Sequence, residues 1–135
     1  MISIINKKLP KQSKEEYYGN REYKLILNNE DYTKNYEHYL KNNNNTFNNL
    51  KKYKKRKKYE IKKLQKRATQ MLFRINEGKG KAIYIIGIDD NGNNIGIPMV
   101  SIKESILYLQ LMILEINATI NNYRIYKGNK GYILT

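Results

Sequence analysis

The residues of this chain best placed to do chemistry are cations. Lys51, Lys52, Lys54, Lys55, Arg56, Lys57 and Lys58 run with only Tyr53 between them, and Lys62, Lys63, Lys66 and Arg67 continue the run, with Glu60 as its one acid. On a helix, Lys52, Lys55, Lys62, Lys63 and Lys66 gather on the side opposite an apolar stripe. A line of cations along a solvent face neutralises successive phosphates and releases their counterions, which is the chemistry of nucleic-acid backbone binding. An ordinary solvated helix face mixes in more acids than this. The same residues also fit a nuclear-localisation signal.

Tyrosine is the second candidate. There are thirteen tyrosines and no tryptophan, and eight of the tyrosines fall between Tyr17 and Tyr59. Exposed tyrosines among lysines can stack on unpaired bases at about 1–3 kcal/mol each. Tyr23 and Tyr84 read better as packing residues, and the sequence does not assign Tyr53 or Tyr59. His38 is the single histidine and stands in a low-complexity stretch without a Ser or Cys nucleophile pattern, so it is no catalyst candidate. Asp89-Asp90-Asn91-Gly92 fails as a calcium loop, because Asn94 stands where glycine is needed and Val100 where glutamate is needed. It reads instead as a turn, with Asn91-Gly92 supplying left-handed positions. The absence of cysteine excludes a disulfide framework and a thiolate metal site. No metal and no cofactor are expected.

The elements that must position these residues belong to a small domain. A chain of 135 residues with 40% hydrophobic content supports one domain with a modest core. Net charge of +14 favours a polyanion, whether RNA, DNA or an acidic membrane face. Lys, Asn, Ile and Tyr are also the residues of AT-rich codons, so genome composition accounts for part of this bias. Ile2, Ile4 and Ile5 form too short an apolar patch for a signal peptide, and no stretch approaches the roughly 18 apolar residues of a membrane span. Cytoplasmic location follows as the expectation, with a nuclear one compatible.

Residues 1–20 read as a leader, and 21–135 as a single domain interrupted at about 28–57 by an insertion rich in Asn, Lys and Tyr, expected to be flexible. Arg21 to Leu27 alternates as a strand, with Tyr23, Leu25 and Leu27 on one face. Ile61, Leu64, Ala68, Met71, Leu72 and Ile75 mark a helix from about Lys58 to Asn76; Phe47, Leu50 and Tyr53 would extend its stripe back to an N-cap at Thr46. Gly78 and Gly80 are expected to end that helix in positive-φ conformations. A strand from Ala82 to Ile88, a turn at Asp90-Asn91-Gly92 and a return strand to Ile97 should follow. A second helix is expected from Pro98 to about Glu115, opened by Ser101 and Glu104 at capping-box spacing. A hairpin over 118–135 turning at Gly128-Asn129 closes the chain. This order predicts an α+β two-layer sandwich, a mixed sheet with two helices on one face.

Thr69, Gln70, Met71, Arg74, Ile75, Glu77, Gly78, Gly80, Ala82, Ile83, Tyr84, Ile86, Gly87, Ile88, Asp90, Asn91 and Gly92 together carry a linked pattern. It resembles the N-terminal domain of elongation-factor-1A-like translational GTPases, the GTP-binding protein one/two family. Leu9-Pro10, Glu22-Tyr23-Lys24-Leu25 and Glu104-Ser105-Ile106 are similar to further parts of that domain. The resemblance implies a setting in translation or RNA turnover, with tRNA or the ribosome as partner. No G-x-x-x-x-G-K-[ST] segment occurs in these residues, so GTP hydrolysis is not carried over, and a non-catalytic RNA-binding module is the expected function. Gly87-Ile88-Asp89-Asp90 with Glu22-Tyr23-Lys24 also resembles Schlafen-type domains, some of which are metal-dependent ribonucleases. That resemblance implies Glu22 with Asp89 or Asp90 as acids and Glu15 or Glu16 as a third. A basic DNA-binding or packaging protein is the remaining alternative.

One surface points elsewhere. Ile102, Ile106, Leu109, Ile113 and Ile116 form one stripe of the second helix, and Leu107, Leu111 and Leu114 form another. With the first stripe committed to the sheet, the three leucines are expected to mediate self-association.

Overall fold

A computed structural model describes residues 2–27 and 58–135, with side chains in the first helix described from Ile61 onward. The expected insertion at about 28–57, the possible N-cap at Thr46 and the backward extension through Phe47, Leu50 and Tyr53 lie outside the described residues. Five strands, β1 (Ile2–Lys8), β2 (Arg21–Lys24), β3 (Ile83–Ile86), β4 (Tyr123–Lys127) and β5 (Tyr132–Leu134), accompany two helices, α1 (Lys58–Glu77) and α2 (Met99–Ile116). The strands form one sheet in the order β1-β4-β5-β3-β2. The two outer pairs, β1 with β4 and β2 with β3, are parallel, and the inner pairs are antiparallel. The fold is α+β with a mixed sheet, as the order of elements predicts.

Period-2 alternation sorts the strand residues into two layers. Tyr84, Ile86, Tyr123, Ile125, Tyr132 and Leu134 join Leu64, Ala68, Met71, Ile102, Leu109 and Met112 of the helices in the main core. Tyr23, Ile85 and Ile133 point the other way and pack with Leu9 and Ile88 in a smaller cluster. Each fully buried apolar side chain stabilises the fold by about 1.5–3 kcal/mol, so the larger cluster dominates. β2, α1 and β3 form a parallel crossover, the kind of connection that a helix must bridge.

Several expectations need correction. Residues 1–20 are more than a leader, since Ile2–Lys8 is an edge strand paired with β4. β2 ends at Lys24, Leu25 is exposed, and Leu27 joins the main core instead of sharing a strand face with Tyr23. The return strand after Gly92 is reduced to a single bridge between Ile97 and Tyr132. α2 starts from Pro98 as N-cap with no side-chain cap, so Ser101 and Glu104 make no capping box. Ser101 lies inside the first turn, and its carbonyl accepts a 2.8 Å bond from the Ser105 hydroxyl.

α1 ends with the left-handed residue at Lys79 (φ 57°) followed by Gly80 (φ 108°), rather than at Gly78. The Gly80 N–H donates to the Ile75 carbonyl at 2.8 Å and the Lys79 N–H to that of Asn76 at 3.3 Å, closing a Schellman motif. Gly78 is needed for space, because a Cβ there would lie 1.9 Å from the Lys81 carbonyl oxygen. At the later turn Gly92 alone is left-handed (φ 83°), and a Cβ on it would meet the Gln12 carbonyl oxygen at 2.1 Å. The segment after β1 thus lies directly against this turn.

Candidate nucleic-acid interface

α1 divides its residues cleanly between core and solvent. Leu64, Ala68 and Met71 are buried, Ile61 and Ile75 pack at the margin, and Lys62 and Lys66 are exposed with Lys63 partly so. At 100° per residue, Lys62 and Lys66 point almost directly away from that core stripe. Lys51, Lys52, Lys54, Lys55, Arg56 and Lys57 precede the described part of the helix, and the side chain of Lys58 is also outside the described residues.

Arg67 points elsewhere. Its guanidinium donates to the Leu27 carbonyl and lies 5.8 Å from the centroid of the Tyr108 ring, tying α1 to the segment after β2 and to α2. Sequence reasoning placed Arg67 in the lysine row; one more residue along the helix turns it toward the sheet edge.

The sequence pattern included Arg74 only as a matched position, yet it is the electrostatic centre of this side of the molecule. It is 4% exposed, and its Nε donates to Glu22 Oε1 at 2.8 Å. Glu22 is 1% exposed and also takes Lys24 Nζ at 3.3 Å. The remaining guanidinium nitrogens donate to the Gly19 carbonyl at 3.0 Å and the Glu16 carbonyl at 3.1 Å. One buried cation therefore joins α1, β2 and the segment before β2. A planar fork of donors suits this task where a lysine would not. The sequence carries Arg74 in the linked pattern and Glu22 in a separate matched segment, and periodicity does not join the two.

The acids have structural partners too. The Glu15 carboxylate accepts the Tyr23 N–H and lies 3.9 Å from Arg74 Nη2. Burial raises the Glu15 pKa, with Glu22 and Asp90 nearby adding to the rise and the Tyr23 N–H opposing it. The structure thus brings Glu15 near both Glu22 and Asp90. Asp89 Oδ1 accepts the N–H groups of Asn91 and Asn93, both at 3.0 Å, and Oδ2 accepts the Asn93 amide at 2.9 Å. These bonds hold its carboxyl below the usual range. Asp90 and Glu16 are exposed. Among the described residues no three His, Asp or Glu side chains are placed to share a metal ion.

On α2, Leu107 and Leu111 are half-buried, and Leu111 packs against the main core, whereas Leu114 is 72% exposed. The second leucine stripe is therefore only partly free. Among the described residues no helix is long and apolar enough to cross a membrane.

No family model matches the chain, and no solved structure matches it. Among curated proteins it is similar to GTP-binding protein 2 of Mus musculus and to GTP-binding protein 2 of Homo sapiens, each 38% identical over 56 residues. That stretch is 42% of this chain and 9% of either relative, so the chain matches only a small part of their length.

Proposed function

We propose that this chain is a non-catalytic RNA-binding module related to the N-terminal domain of translational GTPases, acting on tRNA, the ribosome or mRNA turnover. The observation that carries the reading is the exposed lysine face of α1, with Lys62 and Lys66 set opposite the buried stripe and the Lys51–Lys58 run leading into them. Such a face binds phosphates without requiring a cavity or a reacting group. The local similarity to GTP-binding protein 2 supports the translational setting. GTP binding itself is not part of the proposal, because the chain has no glycine-rich phosphate loop between a strand and a helix. The acids have structural duties in turn formation and in the Arg74 network, which favours binding over RNA cleavage.

Gel-shift titration against tRNA at several salt concentrations tests the proposal. Wild-type affinity should fall steeply with salt, and changing Lys55, Lys62, Lys63 and Lys66 together to Glu should abolish binding. Unchanged affinity in that variant would move the site elsewhere. Preference for duplex DNA over tRNA would favour the packaging alternative. Manganese-dependent cleavage of tRNA, lost when Glu22 and Asp89 are both changed to Ala, would favour the nuclease.

A further inference from the structure

We propose that Tyr17, Tyr18 and Phe73 form a preorganised stacking platform for unpaired RNA bases, at the end of the lysine face. This deepens the function proposed above and rests on it. Tyr17 is 79% exposed, Tyr18 66% and Phe73 39%, an unusual concentration of open aromatic surface on a chain of this size. The rings touch one another. Tyr17 and Tyr18 meet edge to face with centroids 4.9 Å apart, and Phe73 lies 6.4 Å from Tyr17 and 6.5 Å from Tyr18.

Backbone anchoring explains why these rings stay outside. The Arg74 guanidinium donates to the carbonyls of Glu16 and Gly19, the residues that bracket the two tyrosines. The Gly19 N–H donates to Glu77 Oε1 at 3.2 Å, and the Glu15 N–H donates to the Asp90 carbonyl at 2.8 Å. A segment fixed at both ends cannot fold its tyrosines into the core. The same clamp spares a bound base most of the cost of ordering the loop. Arg74 is also 5.9 Å from the Phe73 ring centroid, so the clamp reaches the third ring as well.

Charge complementarity selects the occupant. Phe73 follows Lys66 by seven residues and Lys62 by eleven, which puts all three within about 20° of one line along α1. The lysines therefore lead toward the rings at a distance of about 10 Å for Lys66. Tyr18 also lines an open cleft of 240 Å³, together with Lys14, Arg21, Ser13, Glu16 and Asn20. Cations near exposed rings suit a single strand, with phosphates on the basic side chains and bases on the aromatics. A duplex keeps its bases stacked inside and offers such rings nothing.

The test compares a single-stranded RNA oligonucleotide, carrying 2-aminopurine as reporter, with its duplex. Tyr17→Ala combined with Tyr18→Ala should weaken single-strand binding by about tenfold or more while leaving duplex affinity and the salt slope unchanged. Tyr17→Phe with Tyr18→Phe should retain binding, because stacking needs the ring and not the hydroxyl. Both tyrosines are exposed, so thermal melting should show the variants as stable as wild type. Wild-type binding to RNA with no effect of the alanine changes would overturn the platform alone and leave the patch to a protein contact. Equal losses for single strand and duplex would also overturn it. No binding of wild type to any RNA would remove both the platform and the function on which it rests.

Discussion

The two helices lie over the same sheet but are held to it by different physics. α2 is apolar on nearly every side, and Ile102, Tyr108, Leu109 and Met112 bury almost completely against the strands. α1 is amphipathic, with a narrower buried stripe of Leu64, Ala68 and Met71. Two directed polar ties add to that stripe, Arg67 to the Leu27 carbonyl and Arg74 to Glu22. The difference shows how one small domain can separate tasks. Wide apolar burial under α2 supplies stability, and the bonds of Arg67 and Arg74 fix the orientation of α1, leaving its outer face free for charge.

The largest effect should come from breaking the directed side. Arg74→Met leaves Glu22 buried beside only the partly exposed Lys24, and should cost about 3–5 kcal/mol in urea unfolding. Glu22→Leu should be similarly harmful. The double variant should lose less than the two singles added together, because no unpaired charge remains. It will not recover fully, since the Gly19 and Glu16 carbonyls also lose their donor. Additive losses would show that the two side chains are uncoupled, and the distinction between the helices would fail.

The next test concerns the outer surface of α2. Leu114 is 72% exposed while Leu107 and Leu111 are partly covered, so Leu114→Lys removes apolar surface without disturbing the core. If the leucine stripe joins two copies, wild type should sediment as a dimer at high micromolar concentration and Leu114→Lys as a monomer. Stability of the monomer should change by no more than about 0.5 kcal/mol. A wild type that stays monomeric would mean that α2 serves only its own chain.

Much of this division is legible in the sequence, because helical periodicity reports burial directly. The stripe from Ile61 to Ile75 gives α1, and the near-continuous apolar run gives α2 with ends within a residue of those observed. The closing strands and their turn also follow from alternation and glycine. What periodicity hides is pairing between distant parts of the chain. Ile2–Lys8 is a strand because β4 offers it an edge, and nothing in its own pattern requires that. Asn93 to Ile97 is not a strand because Gly87, Gly92 and Gly96 take positive φ and bend the path away. The Arg74 clamp spans 52 residues to Glu22, a distance over which charge type gives no warning of contact. The exposure of Lys62 and Lys66 was readable from spacing; the meeting of Phe73 with Tyr17 and Tyr18, more than fifty residues away, was not.

The smallest effect is a pH dependence confined to the loops around β2 and β3. Glu15 has its pKa raised above the ordinary 4.5, chiefly by burial, so its contribution to stability is fully present below that value and is lost as pH rises through the folded pKa. Asp89 has its pKa lowered below 3.8, first by the Asn93 side-chain bond, so its contribution is present above that value and is lost as pH falls through the folded pKa. The two acids therefore bound a window from opposite sides. Melting temperatures followed from about pH 3 to pH 7 should decline less steeply above pH 4.5 in Glu15→Gln, and less steeply below pH 3.8 in Asp89→Asn. Glutamine keeps an oxygen to accept the Tyr23 N–H, so its effect isolates the charge from the bond. Identical pH profiles for all three proteins would place the acid sensitivity in other carboxylates and detach it from the segment that Arg74 clamps.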